Sequence, residues 1–181
     1  MTTTQEEFMN WYEAHHGAFS RYCSSRALGW MATEDLMQEA ILATLKRFDE
    51  LVDSGRRLAY LIGTVNNIVA KEYRRTKFRA PWDERLLDQL ESRLHNPEAA
   101  LDVQILLKTI ENLPDEQGEA LRLFELSGFS VKEIAAIQDC QPGAVKTRLH
   151  RARNRVRTLL EEAPQPRSFS NALATCLSIL F

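Results

Sequence analysis

From Pro142 to Arg157 the chain reads PGAVKTRLHRARNRVR, and this run admits few structures. Val145, Leu149, Ala152, Val156 and Leu159 recur at steps of three and four, which forms one apolar stripe along a helix. Lys146, Arg148, His150, Arg151, Arg153, Arg155 and Arg157 occupy the rest of its circumference. No acid interrupts the run, so salt bridging along the helix does not account for the cations. One side must be buried and the other calls for a polyanion. The whole chain carries a formal net charge of only -2, so the basic character is local, as on a nucleic-acid surface.

The preceding residues complete a motif. Ser130-Val131-Lys132-Glu133 reads as a capping box that opens a short apolar-faced helix ending at Ile137. Asp139 to Gln141 reads as a tight polar turn, and Ala135 suits a close helix crossing. A short supporting helix, a tight turn and a basic second helix are the parts of a helix-turn-helix, whose second helix enters the major groove by its N-terminal half. That docking places Gln141, Ala144, Lys146, Thr147 and Arg148 nearest the bases, with Arg151, Arg153 and Arg155 at the phosphates.

Helical periodicity extends over the rest of the chain, with no strand alternation. Helices are expected at Gln5 to Ser25, Thr33 to Phe48, Arg56 to Phe78, Pro97 to Asn112, Asp115 to Leu126, Ser130 to Ile137 and Pro142 to Glu161. Thr33 is a candidate cap, Asn96-Pro97 gives a cap followed by proline at the first helical position, and Leu113-Pro114-Asp115 ends one helix and opens the next. At 181 residues the chain accommodates two small units. The expected fold is all-α: residues 1–80, an acidic and partly mobile linker at 81–96, a helix-turn-helix domain at 97–163 and an apolar tail at 164–181.

Between Arg56 and Arg79 seven cations stand against the single acid Glu72. Leu58, Leu61, Ile62, Val65, Ile68 and Val69 form a core stripe here, while Tyr60, Thr64, Asn67, Lys71 and Arg74 or Arg75 line the opposite side. An aromatic, amides and cations along one helix suit a strand with unstacked bases, because the ring replaces base stacking and the cations hold the backbone. A core helix with a solvated basic side accounts for the same pattern. Upstream, Asp35, Gln38, Glu39 and Leu42 share one helical face. Acids in a first turn stabilise a helix start, and the same residues make a docking face for a basic partner; both readings stand on the residues alone.

Taken in order, EDLMQEA at Glu34 to Ala40, NNIVAKEYRR at Asn66 to Arg75, LPDEQGEALRL at Leu113 to Leu123 and GFSVKEIAAIQDCQPGAVKTRLHRARNRVR at Gly128 to Arg157 resemble bacterial sigma factors of the extracytoplasmic-function (ECF) type. The resemblance covers roughly Phe8 to Leu160. It implies a σ2-like bundle that binds the clamp coiled coil of core RNA polymerase through Asp35, Gln38, Glu39 and Leu42. That bundle would melt the start-proximal promoter element with Arg56, Arg57, Tyr60, Thr64, Asn67, Lys71, Arg74 and Arg75, the loop Asp49 to Arg57 receiving a flipped base. It also implies a σ4-like unit that reads the upstream element and docks on the polymerase flap, and an anti-sigma partner covering the same surfaces. Three positions depart from the family pattern: Tyr60 stands where tryptophan is usual, Lys71 where aspartate is frequent, and Ala144 where threonine is commoner.

The tail SFSNALATCLSILF sets Phe169, Leu173, Cys176, Leu177 and Leu180 on one helical face, either to cap the C-terminal core or to dock between the domains or against a polymerase-binding surface and restrain the free protein. Other classes fit less of the chain. A dimeric helix-turn-helix regulator of duplex DNA explains the C-terminal unit but neither the basic-aromatic helix nor the docking face. An adaptor that binds no DNA leaves the basic helix without a role. No phosphate loop or acid-base pair points to an enzyme, His15, His16 and Cys23 make a poor metal site, and no cofactor is expected. The three cysteines form no C-x-x-C pair, no signal peptide is readable at the start, and no run reaches the length of a membrane span, which fits the cytoplasm.

Overall fold

The computed structural model describes residues 4–76, 82–162 and 168–180. Lys77, Phe78, Arg79 and Pro81, together with Pro164, Gln165 and Pro166, lie outside those residues, as does the side chain of Leu180. Helices α1 (Thr4–Ala27), α2 (Thr33–Lys46) and α3 (Ser54–Thr76) form an N-terminal unit, with a 3-10 turn at Phe48–Glu50. Helix α4 (Trp82–Leu94) leads to a C-terminal unit of α5 (Pro97–Glu111), α6 (Asp115–Leu121), α7 (Val131–Ile137) and α8 (Pro142–Glu161); α9 (Phe169–Leu180) follows. The fold is all-α, and no strand occurs among the described residues.

Helix α1 anchors the N-terminal core because Phe8, Tyr12, Phe19, Tyr22 and Cys23 fall on one face and are buried. Phe8 meets Phe48 edge-on with ring centroids 5.3 Å apart and stacks on Tyr12 at 5.7 Å. Burial raises the pKa of Tyr22 and of the Cys23 thiol, and pushes the Cys176 thiol to about 12, so these groups stay neutral in the core.

Local chemistry sets the helix ends. The Asn96 side chain accepts from the backbone of Glu98 at 3.1 Å and of Ala99 at 3.3 Å, with Pro97 behind it. Ser130 and Glu133 close the reciprocal capping box, Ser130 N donating to Glu133 Oε2 at 2.8 Å. Thr33 is not a cap: Ala32 holds that position without a side-chain bond, and α2 begins at Thr33. The stretch from Asp115 runs as α-helix only to Leu121 and continues as a π turn over Arg122–Leu126. There Ser127 Oγ donates to the Arg122 carbonyl at 2.9 Å. In α8 the stripe ends on the fully buried Leu160, four residues beyond Val156, with Leu159 only half-buried.

The acidic joining segment, expected as a partly mobile linker, is helical over Trp82–Leu94. Leu86 and Leu90, one turn apart, are fully buried, and α4 packs on α5. Gln89 Oε1 accepts from Gly29 N at 2.8 Å, and the Arg85 guanidinium lies 4.9 Å from the Trp30 ring centroid, so α4 also grips the turn after α1.

The two units pack together. Helix α7 lies on α3, where a Cβ on Gly55 would come 2.9 Å from Ala136 Cβ; glycine is what lets the first turn of α3 approach this closely. From α1, Arg21 Nε donates to the Ser127 carbonyl at 2.9 Å, and Arg26 pairs with Glu111 at 3.2 Å. Helix α9 buries Ala172 and Cys176 against α5 and the π turn and touches both α1 and α8.

Candidate nucleic-acid interface

The turn before α8 is a Schellman close. Cys140 N donates to the Ala135 carbonyl at 2.9 Å while Asp139 adopts φ 46°, a left-handed conformation usually left to glycine. The chain thereby reverses within four residues and sends α8 off with Pro142 in its first turn. Val145, Leu149, Ala152, Val156 and Leu160 are buried, which fixes the helix's rotation. Gln141, Lys146, Thr147, Arg151 and Arg155 then lie exposed, and Ala144 is half-buried beside them. The Thr147 hydroxyl donates to the Gly143 carbonyl at 3.0 Å and keeps its acceptor lone pairs.

Two expected DNA contacts are placed differently. Arg148 does not lie free over the bases: its Nη1 donates to Gln138 Oε1 and contacts Cys140 Sγ, both at 3.0 Å, and its Nη2 pairs with Glu116 at 2.5 Å. The side chain is only 18% exposed. Arg153 turns back toward the π turn, where Nε donates to Glu125 Oε1 at 2.6 Å and the guanidinium sits 5.2 Å from the Phe124 ring centroid. Acids on neighbouring elements claim both cations and hold them off the outer face.

On α3, Tyr60, Thr64, Asn67 and Lys71 come together with Ala59, Gly63 and Ile68 around an open concavity of about 410 Å³. Thr64 Oγ1 donates to the Tyr60 carbonyl at 2.8 Å. Behind the phenol, the Arg47 guanidinium lies 5.2 Å from the ring centroid. Hydrogen bonding to Glu50, and then to Tyr60, raises the Arg47 pKa further, so its charge is permanent. Arg56, Arg74 and Arg75 are exposed, Arg56 pairing with Asp53 at 3.5 Å and Arg75 with Glu72 at 3.4 Å.

Arg57 is not among the exposed cations. It stacks 3.8 Å over the Phe48 ring and donates from Nε to the Leu51 carbonyl at 2.9 Å, closing the base of the loop from Asp49. Asp53 Oδ1 accepts from Arg56 N at 2.8 Å and caps α3. The loop is thus tied at both ends and offers Val52 to solvent, 80% exposed.

Asp35, Gln38, Glu39 and Leu42 are all exposed along α2, because Leu36, Ala40 and Thr44 occupy its buried side. Leu42 is 56% exposed, an apolar residue framed by carboxylates and amide. A shallow recess of about 420 Å³ lined by Glu39, Leu42, Ala43, Lys46, Arg47 and Tyr60 links this face to the aromatic end of the α3 concavity.

His15 and His16 each bond locally, to the Trp11 carbonyl at 2.8 Å and the Tyr12 hydroxyl at 2.9 Å, while Cys23 is buried. No group of three or more metal-ligating side chains occurs among the described residues. Nor is any helix there long and apolar enough to cross a membrane. The sequence reading missed Asn66, Glu116, Glu119 and Gln138, which tie α3, α6 and the turn before α8 together. Only tertiary placement reveals that role, since polar residues at these spacings look solvated.

The family model described as Sigma-70, region 4 matches residues 103–156, the segment that contains the helix-turn-helix. The ECF RNA polymerase sigma factor EcfG of Rhodopseudomonas palustris is 29% identical over 127 residues, covering 70% of this chain and 70% of that protein. The ECF RNA polymerase sigma factor BldN of Streptomyces coelicolor is 30% identical over 88% of this chain, which spans 61% of BldN. The ECF RNA polymerase sigma-E factor of Escherichia coli is 49% identical over 53 residues, 29% of this chain and 28% of that protein. In fold, the chain resembles the sigma factor RpoE of Bartonella quintana, solved in complex with the anti-sigma factor NepR, with a TM-score of 0.54. That likeness spans 87% of this chain and 98% of the other at 23% identity. A helix-turn-helix that matches sigma-70 region 4, relatives that align well beyond it and a shared helical fold together make this chain similar to ECF RNA polymerase sigma factors.

Proposed function

We propose that the chain acts as an alternative sigma factor that joins core RNA polymerase and directs it to a defined set of promoters. One observation carries the reading: a single chain exposes a carboxylate-and-leucine face on α2, an aromatic-cationic concavity on α3 and a basic recognition face on α8. Asp35, Gln38, Glu39 and Leu42 dock on the clamp coiled coil, and the C-terminal unit meets the flap. Tyr60, Thr64, Asn67 and Lys71, with Arg56, Arg74 and Arg75 around them, hold the opened start-proximal strand by stacking and charge. Gln141, Ala144, Lys146 and Thr147 face the upstream bases while Arg151 and Arg155 meet phosphates. The role is non-catalytic and cytoplasmic. Tethering both units to polymerase raises the effective concentration of each at the promoter, so neither need bind DNA tightly alone. An anti-sigma factor is the natural antagonist, as the Bartonella quintana complex illustrates for its own sigma factor. A dimeric duplex-binding regulator leaves the α2 and α3 surfaces without use.

Core binding tests the docking face. Leu42→Asp weakens association with purified core polymerase by about 30-fold or more in a fluorescence titration, the scale of an interface hot spot. Met9→Asp, at another exposed apolar residue on α1, leaves it unchanged. Equal loss in both variants, or none in either, overturns the assignment of the α2 face.

A further inference from the structure

We propose that Glu119 is a latch whose carboxylate joins α3 of the N-terminal unit to the recognition helix of the C-terminal unit, so that the seam between the units also withholds Arg148 from DNA. The inference rests on the promoter-binding reading of α3 and α8.

An unbroken run of hydrogen bonds carries it. The Tyr22 hydroxyl on α1 donates to Asn66 Oδ1 on α3 at 2.8 Å, and Asn66 Nδ2 donates to Glu119 Oε1 on α6 at 2.6 Å. The other carboxylate oxygen of Glu119 accepts from Gln138 Nε2 at 3.1 Å, and the same amide nitrogen donates to the Glu116 carbonyl at 3.0 Å. These two acceptors fix which way the Gln138 amide points. Its Oε1 is thereby aimed at Arg148 Nη1, 3.0 Å away, while Glu116 takes Nη2. Arg148 lies where a major-groove reading would place it by sequence position, yet its fork is filled by protein acceptors.

Away from the run the seam includes the Arg21 bond to the Ser127 carbonyl, the Arg26 pair with Glu111, His15 Nε2 at 3.8 Å from Glu133 Oε1, and the packing of α7 on α3 and of α9 on α1. Its polar bonds exchange for water when the units separate, as at interfaces between domains of one chain. A cavity of about 440 Å³, open to solvent and lined in part by Asn66, Asn67, Glu119 and Arg122, already runs along it. When polymerase and promoter draw α3 away, Glu119 loses Asn66 and is free to turn toward water. Gln138 then loses the acceptor that orients it, and the grip on Arg148 loosens because bonds in such a run support one another. A released arginine fork pairs with guanine in the groove. The free chain therefore reads DNA with an incomplete set of contacts and completes the set only when its units are apart.

The test uses the full chain without DNA or polymerase, so its failure leaves the sigma-factor reading standing, and failure of that reading leaves this result interpretable. Phenylglyoxal modification of arginines is followed residue by residue by mass spectrometry, with thermal unfolding confirming that each variant is folded. In the wild-type chain Arg148 reacts more slowly than the exposed Arg151 and Arg155. Glu119→Ala raises the Arg148 rate about tenfold, the worth of a bond to a charged group, and Glu119→Gln, which keeps the volume, raises it less. Asn66→Ala, in the other unit, raises it about threefold through loss of the Glu119 contact. Asp115→Asn, which removes a nearby charge outside the run, leaves it unchanged. Wild-type rates in both Glu119 variants overturn the latch, a wild-type rate in Asn66→Ala overturns the coupling between units, and an equal rise in Asp115→Asn reduces the effect to charge.

Discussion

Alanine at both Lys146 and Arg151 lowers transcription from the promoters that the wild-type chain opens by about 100-fold, since each well-placed cation at a base or phosphate is worth about 1–3 kcal/mol. Both side chains are exposed on α8 while the helix's rotation is fixed by five buried residues, so truncating them removes contacts without disturbing the fold. Binding of the upstream duplex also becomes less sensitive to salt, because fewer counterions are released. Arg153→Ala provides the contrast. Its guanidinium is committed to Glu125 and the Phe124 ring, so the variant loses about 1 kcal/mol of stability, a bond to a charged group discounted for partial exposure, and binds DNA normally once folded. Measuring duplex affinity and thermal unfolding on the same preparations separates the two roles. Loss of affinity in Arg153→Ala with intact stability would reverse the assignment.

Phe48→Ala destabilises the chain by about 3–5 kcal/mol, a large part of the roughly 5–15 kcal/mol that holds a domain folded. Phe48 is fully buried between α1 and α3, with ring contacts to Phe8 at 5.3 Å and Trp11 at 5.7 Å. Its ring is also the surface on which Arg57 stacks, so removing it unfastens the loop from Asp49 as well. Denaturant unfolding shows the midpoint falling sharply. Under stabilising conditions the folded fraction still binds core polymerase through α2 but opens promoters poorly. A variant that unfolds like the wild type, or opens promoters normally when folded, contradicts this account of the loop.

These effects differ in how readily the sequence announces them. The recognition helix, the capping box at Ser130 and the exposed face of α2 are local features: periodicity and cap chemistry specify them, and tertiary packing agrees. Helix α4 is a different case. Its acids and flanking prolines read as linker, although Leu86, Leu87, Leu90 and Leu94 recur at helical steps, and in the structure the segment is a helix that buries Leu86 and Leu90. Periodicity announces the helix, and composition does not. Arg57, Arg148 and Arg153 carried no such clue. An arginine on a basic face looks alike whether it meets DNA or an acid from another helix, and Glu116 and Glu125 lie 32 and 28 residues from their partners. The π turn and the left-handed Asp139 were equally hidden, because both answer to backbone hydrogen bonds rather than to residue type.

The central claim is promoter-directed initiation, and mapping transcription start sites tests it most directly. Purified core polymerase is incubated with a pool of genomic fragments, with and without the chain, and the 5′ ends of the transcripts are sequenced. The account predicts starts that appear only when the chain is present and that share a two-part upstream motif, one element for α3 and one for α8. No new starts, together with binding of a palindromic duplex by the chain alone, would contradict it and make the protein a dimeric duplex-binding regulator.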